Sequence, residues 1–287
     1  MIIGHKPLSD PDIQKTIFDF LKCMDPATVA IETWSGQDYF ASFLNWIQSS
    51  TTQKLQGLDR FACHAYCAGT YDGIQAFIHR HVTTRRVRFS RAEFVGCKII
   101  CNNATANWCY LEDAPLKTGD AVVLSVPFAG NGGYHPHYEM FLKECSDLEI
   151  PVLLDLAYFG ISTEMHFDLT HSCITDLVWS LSKPMSAQLR LGMRMTHKYQ
   201  DDVVQALSDS KTYNRIAVSV ALKLLDQFSH DWVIQRYRPK QLEICKSLGI
   251  QPTPTVTLAL GDPVKHNEFW REGYNRICIT DEIYKTI

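Results

Sequence analysis

The chain has 287 residues, of which 46% are hydrophobic and 21% are charged, a composition typical of one large globular domain or of a large domain with a small one. Its net charge of −3 gives no general attraction to nucleic acid or to anionic lipid, so neither is an expected partner. No apolar run approaches the ~20 residues needed to span a bilayer, which excludes a membrane-spanning helix from the prediction.

Ten cysteines occur in a chain whose first residues lack the apolar core and cleavage site of a signal peptide. We therefore expect reduced thiols in a cytoplasmic protein. The pairs Cys63/Cys67 and Cys97/Cys101 have CxxxC spacing rather than the CxxC spacing of structural zinc sites. This spacing favours buried thiols that pack as small hydrophobic side chains.

Helical and β-rich patterns alternate along the chain. Amphipathic patterns predict helices over residues 12–24, 37–48 and 137–148, and a Gly-Thr turn precedes another helix that starts near Tyr71. Short apolar runs predict strands over residues 121–127, 151–155, 174–179 and 189–196. The pattern is then helical from 201 to 248, with a break near Pro239, and two later strands are predicted over 253–260 and 276–280.

Short, nearly continuous apolar strands separated by helices predict an α/β fold in three layers, with a mostly parallel sheet flanked by helices. We place a large domain at residues 1–210, including the N-terminal helical segment, and a reduced C-terminal α+β small domain at 211–287. Sheets of this kind bind ligands at the carboxyl ends of their strands.

The stretch VWSLSKPMSAQLRLGMR, residues 178–194, is the most informative part of the sequence. Lys183 follows a strand end closely, and a lysine amine can anchor an aldehyde as an imine if a partly desolvated site keeps it deprotonated. Ser180, Ser182 and Arg190 supply hydroxyl and guanidinium donors of the kind that a cofactor phosphate requires. The stretch suits a covalently held, phosphorylated cofactor, whereas a solvated surface side chain is the alternative interpretation of a lysine taken alone.

Asp155 ends the apolar strand of residues 151–155, where an acid is costly to bury unless a cationic group pairs with it. The protonated ring nitrogen of pyridoxal 5′-phosphate (PLP) is such a group, and this pairing makes the ring an electron sink. Tyr158, three residues later, could reach the phenolic oxygen of the cofactor. An aspartate that caps the following segment is the alternative interpretation.

The segments DLAYFG and SLSKPMSAQLRLG, separated so that Asp155 precedes Lys183 by 28 residues, resemble the class I/II aminotransferase group of fold-type I PLP enzymes. The resemblance extends over residues 63 to 280 and implies roles for three further stretches. CAGTYDGIQAF resembles the phosphate-binding turn at a helix start, formed by Gly69, Thr70 and Tyr71. VPFAGNGG resembles the loop that contacts the phenolic oxygen, which points to Asn131. YNRICIT resembles the strand that binds the substrate carboxylate, which points to Arg276.

The resemblance also implies an aromatic ring stacked on the cofactor. The segment RAEFVG makes Phe94 the candidate, with Trp108 as the second choice. It further implies a homodimer with shared active sites and a Schiff base between Lys183 and PLP. We expect a PLP-dependent aminotransferase that acts on an amino acid or a related amine, with Lys183 as the general base.

Three alternatives remain open. The same residues serve PLP-dependent lyases and decarboxylases. A shortened homologue without catalytic activity is a second alternative, although it would have no need for Asp155 and Lys183. A metal-dependent hydrolase could use histidine-rich segments, and its candidate ligands are His79, His81, His135, His137 and Glu139. No third ligand for such a site is evident, so we predict no metal.

Overall fold

The structure is a computed structural model that describes residues 5–25 and 36–286. Its central feature is a seven-stranded sheet in the order β2-β9-β8-β6-β5-β3-β4. These strands are β2 (Cys63–Cys67), β3 (Arg86–Phe89), β4 (Trp108–Tyr110), β5 (Asp120–Ser125), β6 (Val152–Asp155), β8 (Ile174–Ser180) and β9 (Gly192–Thr196). Strand β9 runs antiparallel to its neighbours β2 and β8, and all other pairs in this sheet are parallel, so the predicted mostly parallel sheet is confirmed.

Helices cover both faces of this sheet, so its central strands are buried on both sides. In β5, Val122 and Leu124 belong to one apolar cluster, whereas Ala121 and Val123 belong to another on the opposite face. The first cluster includes residues of α1 (Pro11–Cys23), α2 (Gly36–Gln48), α5 (Tyr138–Asp147), α7 (Arg215–Gln227) and α8 (Trp232–Leu248). The second includes residues of α3 (Thr70–His81) and α4 (Val95–Asn103). The predicted three-layer α/β class is confirmed.

A separate four-stranded antiparallel sheet has the order β10-β11-β13-β12 and belongs to the C-terminal part of the chain. Its strands are β10 (Gln251–Pro252), β11 (Leu258–Leu260), β12 (Trp270–Arg271) and β13 (Tyr274–Cys278), and α9 (Thr280–Tyr284) follows. Two short strands, β1 (Lys54–Gln56) and β7 (His166–Asp168), pair in parallel outside both sheets, and α6 (Val203–Asp209) packs on β2.

The N-terminal segment lies against this C-terminal part. The Tyr237 hydroxyl donates to Asp10 Oδ2 at 2.7 Å, and the backbone N–H of Ser9 donates to the Tyr284 hydroxyl at 2.7 Å. Helix α1 packs on α7. The division into residues 1–210 and 211–287 stays a prediction, but these contacts associate residues 5–23 with elements beyond the predicted boundary.

Three sequence predictions of local structure are wrong, one of them the strand over 253–260, of which only Leu258–Leu260 is a strand. Helix α8 continues through Pro239 without a break. The helical region is interrupted instead before α7 and before α8. Burial of Tyr237, Gln241 and Ile244 on one face outweighs the cost of an interior proline. Strand β9 begins at Gly192 rather than at 189, because Arg190 has a left-handed backbone with φ 49°.

No helix in the described ranges is long and apolar enough to cross a membrane.

Candidate active site

A cavity of about 360 Å³ lies where the parallel strands β5, β6 and β8 end. The last residue of each strand, Ser125, Asp155 and Ser180, lines it, because the carboxyl ends of parallel strands meet at one edge of the sheet. Ten of the twelve residues singled out from the sequence line this cavity: Thr70, Tyr71, Phe94, Asp155, Tyr158, Ser180, Ser182, Lys183, Arg190 and Arg276.

Lys183 lies three residues beyond β8 and is largely buried. Burial lowers the pKa of its amine to about 8, although the nearby Asp155 carboxylate opposes this shift. The amine nitrogen is 2.9 Å from His5 Nδ1 and 5.4 Å from the centre of the Tyr158 ring. Near neutral pH roughly a tenth of Lys183 is therefore the neutral, nucleophilic amine, a far larger share than for a lysine in water.

Asp155 is 4% exposed, and its burial raises the pKa of the carboxyl to about 6. The shift is limited by the Ala157 N–H, which donates to Oδ1 at 3.0 Å, by a hydrogen bond from the Thr70 side chain, and by the charge of Lys183. A cation brought next to this carboxylate would be stabilised by it, and the pKa of Asp155 would fall.

The start of α3 approaches the turn that follows Lys183. Gly69 has φ 91°, and a Cβ added to it would lie 3.1 Å from Arg190 Nη2. A Cβ on Gly192 would lie 2.5 Å from the Trp179 carbonyl oxygen and 3.0 Å from Gly69 N, so only glycine fits there. These two glycines let the Arg190 guanidinium approach the N-terminus of α3, where backbone N–H groups and the helix dipole favour an anion.

Two serines lie at the same end of the cavity. Ser180 Oγ donates to the Leu191 carbonyl at 3.3 Å and accepts from the Ser182 N–H at 3.1 Å. Ser182 Oγ is buried and has no hydrogen-bond partner within the described chain. A buried hydroxyl without a partner is costly, and a ligand with acceptor oxygens would satisfy it.

The C-terminal sheet contributes two arginines to the lining of the cavity. Arg276 on β13 is 6% exposed and donates from Nη1 to the Ala129 carbonyl. Arg271 on β12 donates from Nη2 to the Glu93 carbonyl at 2.6 Å. The turn between the strands has positive φ at Glu272 and Gly273, as a two-residue hairpin requires, and it brings both guanidiniums to one cavity.

Sequence reasoning missed three residues at this site. His5 lines the cavity, and its Nε2 is 2.7 Å from Thr257 Oγ1, but nothing in the N-terminal sequence indicated it. The Glu-Gly turn before Tyr274 could have indicated Arg271, since a hairpin brings the residues on both sides of its turn together. Glu93 is buried beside Ser125, and burial raises the pKa of its carboxyl to about 8.

Other predicted residues are not brought to the cavity. The Asn131 side chain bonds within its own loop, donating to the Tyr134 carbonyl at 2.8 Å and accepting from the Gly133 N–H at 2.9 Å. Asn131 does not line the cavity, so its predicted contact with the cofactor is not supported.

Trp108, the second aromatic candidate, stacks on Phe89 with 5.2 Å between the ring centres. This leaves Phe94, which is 38% exposed, as the aromatic candidate.

The histidine-rich segments do not converge. His135 Nδ1 accepts from the His137 N–H at 3.1 Å, and this contact uses a nitrogen that a metal site would need. Across residues 5–25 and 36–286 no group of three or more His, Cys, Asp or Glu side chains is placed to hold a metal ion.

No family model and no curated protein matches the chain significantly in sequence. Solved structures do match in fold. Histidinol-phosphate aminotransferase from Clostridium acetobutylicum is 14% identical with a TM-score of 0.62, and the match covers 89% of this chain and 81% of that one. A PLP-bound C-S lyase from Staphylococcus hominis is 12% identical with a TM-score of 0.67, covering 97% and 87%.

An aminotransferase from Staphylococcus aureus is 13% identical with a TM-score of 0.68, and the match covers 99% of this chain and 90% of that one. At such identities the likeness establishes the fold and not the reaction. The chain therefore has the fold of these aminotransferases and lyases, as the sequence resemblance implied.

Proposed function

We propose that this chain binds PLP covalently through Lys183 and acts as an aminotransferase on an amino acid or related amine. The observation that carries this proposal is the placement of Lys183 and Asp155, two buried groups of opposite charge, in one cavity at the carboxyl edge of a parallel sheet. Each has its pKa shifted towards the neutral form by burial. Such perturbed pairs in a cavity are typical of catalytic sites.

The residues present fit the cofactor. The N-terminus of α3, the Arg190 guanidinium and the unpartnered Ser182 hydroxyl form an anion-binding end suited to a phosphate. Asp155 would pair with the ring nitrogen, and Phe94 is the aromatic side chain for the ring face. Tyr158 would serve the phenolic oxygen. PLP, when bound, supplies an electrophilic carbon for the substrate amine and a ring that withdraws electrons from the substrate α-carbon.

The chain's own residues then carry out binding and proton transfer. Arg276 binds the substrate carboxylate, which fixes the α-carbon relative to Lys183. The Lys183 amine, with a pKa of about 8, can accept a proton at neutral pH and return it. Aminotransfer requires that the proton be returned to a different carbon, whereas elimination or decarboxylation breaks another bond of the substrate.

A lyase or decarboxylase is the second candidate, because the same residues bind the cofactor and a carboxylate in either case. The two candidates differ in products: an aminotransferase converts a keto acid to an amino acid, a lyase releases ammonia or a thiol, and a decarboxylase releases carbon dioxide. We also propose a homodimer and a cytoplasmic location, both implied by the resemblance.

The test begins with the purified protein and added PLP. We expect an absorbance band near the visible edge that borohydride bleaches, and a reduced PLP adduct on the Lys183 peptide by mass spectrometry. Lys183→Ala should lack the band and the adduct, whereas Lys143→Ala, which removes an exposed lysine paired with Asp147, should retain both. A band that persists in Lys183→Ala would show that another lysine carries the cofactor and would refute the proposal.

A further inference from the structure

We infer that the substrate carries a second anionic group, a carboxylate or a phosphate, and that Arg271 binds it. The inference rests on the proposed function and makes its substrate class specific. A substrate with an α-carboxylate and a second anion would contact both guanidiniums of the C-terminal hairpin, Arg276 and Arg271.

The hydrogen-bond donors of the two hairpin guanidiniums are only partly used. Arg271 and Arg276 line the same cavity, and each donates to a main-chain carbonyl, of Glu93 and Ala129 respectively. Neither has an acidic side chain within 4.0 Å in the part of the chain that the structure describes. A guanidinium has five N–H donors, so each retains capacity for a carboxylate or phosphate.

The cavity wall carries an excess of positive charge. Among the described residues, the cavity is lined by the cations Lys183, Arg190, Arg271 and Arg276 and by a single acid, Asp155. Like charges so close are costly, and Arg276 lowers the pKa of Arg271 after burial, the larger cause. A cofactor phosphate would neutralise Arg190 and a substrate α-carboxylate Arg276, which leaves Arg271 for another anion.

Glu93 is the acid that could neutralise Arg271 within the protein, but its geometry argues against this. Its carboxyl accepts from the Ser125 N–H at 3.1 Å and from the Ser125 hydroxyl, while Arg271 bonds only to the Glu93 main-chain oxygen. Burial raises the pKa of Glu93 to about 8, so the carboxyl is mostly protonated at neutral pH. Arg271 is therefore a charged donor whose partner the cavity itself does not supply.

The test compares matched substrates on the PLP-loaded protein. The kcat/KM for glutamate and aspartate is measured against that for glutamine and asparagine, and that for O-phosphoserine against serine. One charged hydrogen-bonded contact predicts a preference for the dianion of roughly 10- to 100-fold in at least one series. The series with the larger preference identifies the second anion as a carboxylate or as a phosphate.

Variants assign the preference to Arg271. Arg271→Gln should reduce the dianion-to-neutral ratio towards one, and Arg271→Lys, which keeps the charge, should restore part of it. Arg60→Gln, at an exposed arginine elsewhere, should leave the ratio unchanged. Equal rates for dianionic and neutral substrates in the wild type, or an equal loss on both in Arg271→Gln, would overturn the inference.

Binding of unreactive acids separates this inference from the proposed function. Calorimetry with succinate and with butyrate, in the presence of PLP, should give tighter binding of succinate by about tenfold or more, and Arg271→Gln should abolish the difference. If the protein forms no PLP band but still discriminates succinate through Arg271, the proposed function fails while the dianion site stands. A normal PLP band without discrimination refutes the dianion site alone.

Discussion

The amine of Lys183 and the ring of His5 meet at the cavity wall, 2.9 Å apart, although 178 positions separate them in the chain. Burial and the charges of Lys183 and Arg276 keep the pKa of His5 well below its usual value, so His5 is neutral and its Nδ1 can accept a proton in a hydrogen bond. Such an acceptor favours the charged form of Lys183 and opposes the effect of burial on its pKa. We therefore expect His5 to position Lys183 and to hold its pKa above the value that burial alone would give.

This arrangement predicts a pH dependence. The neutral amine of Lys183 reacts with PLP, so the rate of adduct formation should rise as the pH increases through about 8, the pKa of Lys183. His5→Phe removes the acceptor, lowers the pKa of Lys183 further and should move the profile to lower pH by about one unit. Stopped-flow absorbance over a pH series measures this. His79→Gln, at an exposed histidine, is the control, and an unmoved profile in His5→Phe would contradict the role of His5.

Helix α3 and strand β9 meet at two glycines, and the contact connects packing to ligand binding. Gly192 has no space for a Cβ because the Trp179 carbonyl and the Gly69 backbone occupy that position. Gly69 in turn lies directly before α3, whose first residues, Thr70 and Tyr71, line the cavity together with Arg190. A shift of β9 would therefore move the helix start relative to Arg190.

We expect Gly192→Ala to lower the free energy of unfolding by about 1–3 kcal/mol, because the added methyl overlaps main-chain atoms that cannot move independently. It should also weaken PLP binding by roughly tenfold or more, as expected when a charged contact with the phosphate is lost. Gly249→Ala is the comparison: a Cβ there meets nothing within 4 Å, but φ is +65°, so stability should fall without a change in PLP affinity. Urea unfolding and PLP titration measure both. An unchanged PLP affinity in Gly192→Ala would show that the contact between the two glycines does not affect PLP binding.

On the scale of the whole molecule, a hollow next to the cavity has exposed apolar side chains among charged and polar ones. A hollow of about 930 Å³ shares Arg190 with the candidate active site, and α6 contributes Val203, 72% exposed, and Leu207, 45% exposed, to it. Exposed apolar patches of this kind on soluble proteins mark interaction surfaces. A second copy of the chain bound here would lie close to the phosphate end of the cavity.

We therefore expect light scattering to give twice the chain mass of 32.7 kDa. The double substitution Val203→Asp and Leu207→Asp should dissociate the dimer and weaken PLP binding, because buried carboxylates at an interface are costly. Val264→Asp, at a valine that is 86% exposed and far along the chain, should change neither. A wild-type protein that is monomeric at all concentrations would refute the homodimer.

Local sequence patterns predicted the elements that end or begin at the cavity. The apolar runs that end at Asp155 and Ser180 are β6 and β8, and the Gly-Thr turn does precede α3. These predictions succeeded because a buried parallel strand must be apolar along its length, and a polar residue at its end is then conspicuous. The predicted contact of Asn131 lacks support from the structure because a loop side chain can satisfy its hydrogen bonds locally, and the sequence does not show which way it turns.

The sequence by itself thus determined the α/β class, the order of the main elements and the placement of Lys183 and Asp155 at one edge of the sheet. Only the tertiary structure decided what faces those two residues. His5 and Arg271 reach the cavity from the N-terminal segment and the C-terminal hairpin, through contacts between residues far apart in the chain. Such contacts depend on the packing of whole elements rather than on local periodicity, so no local pattern could place these residues beside Lys183.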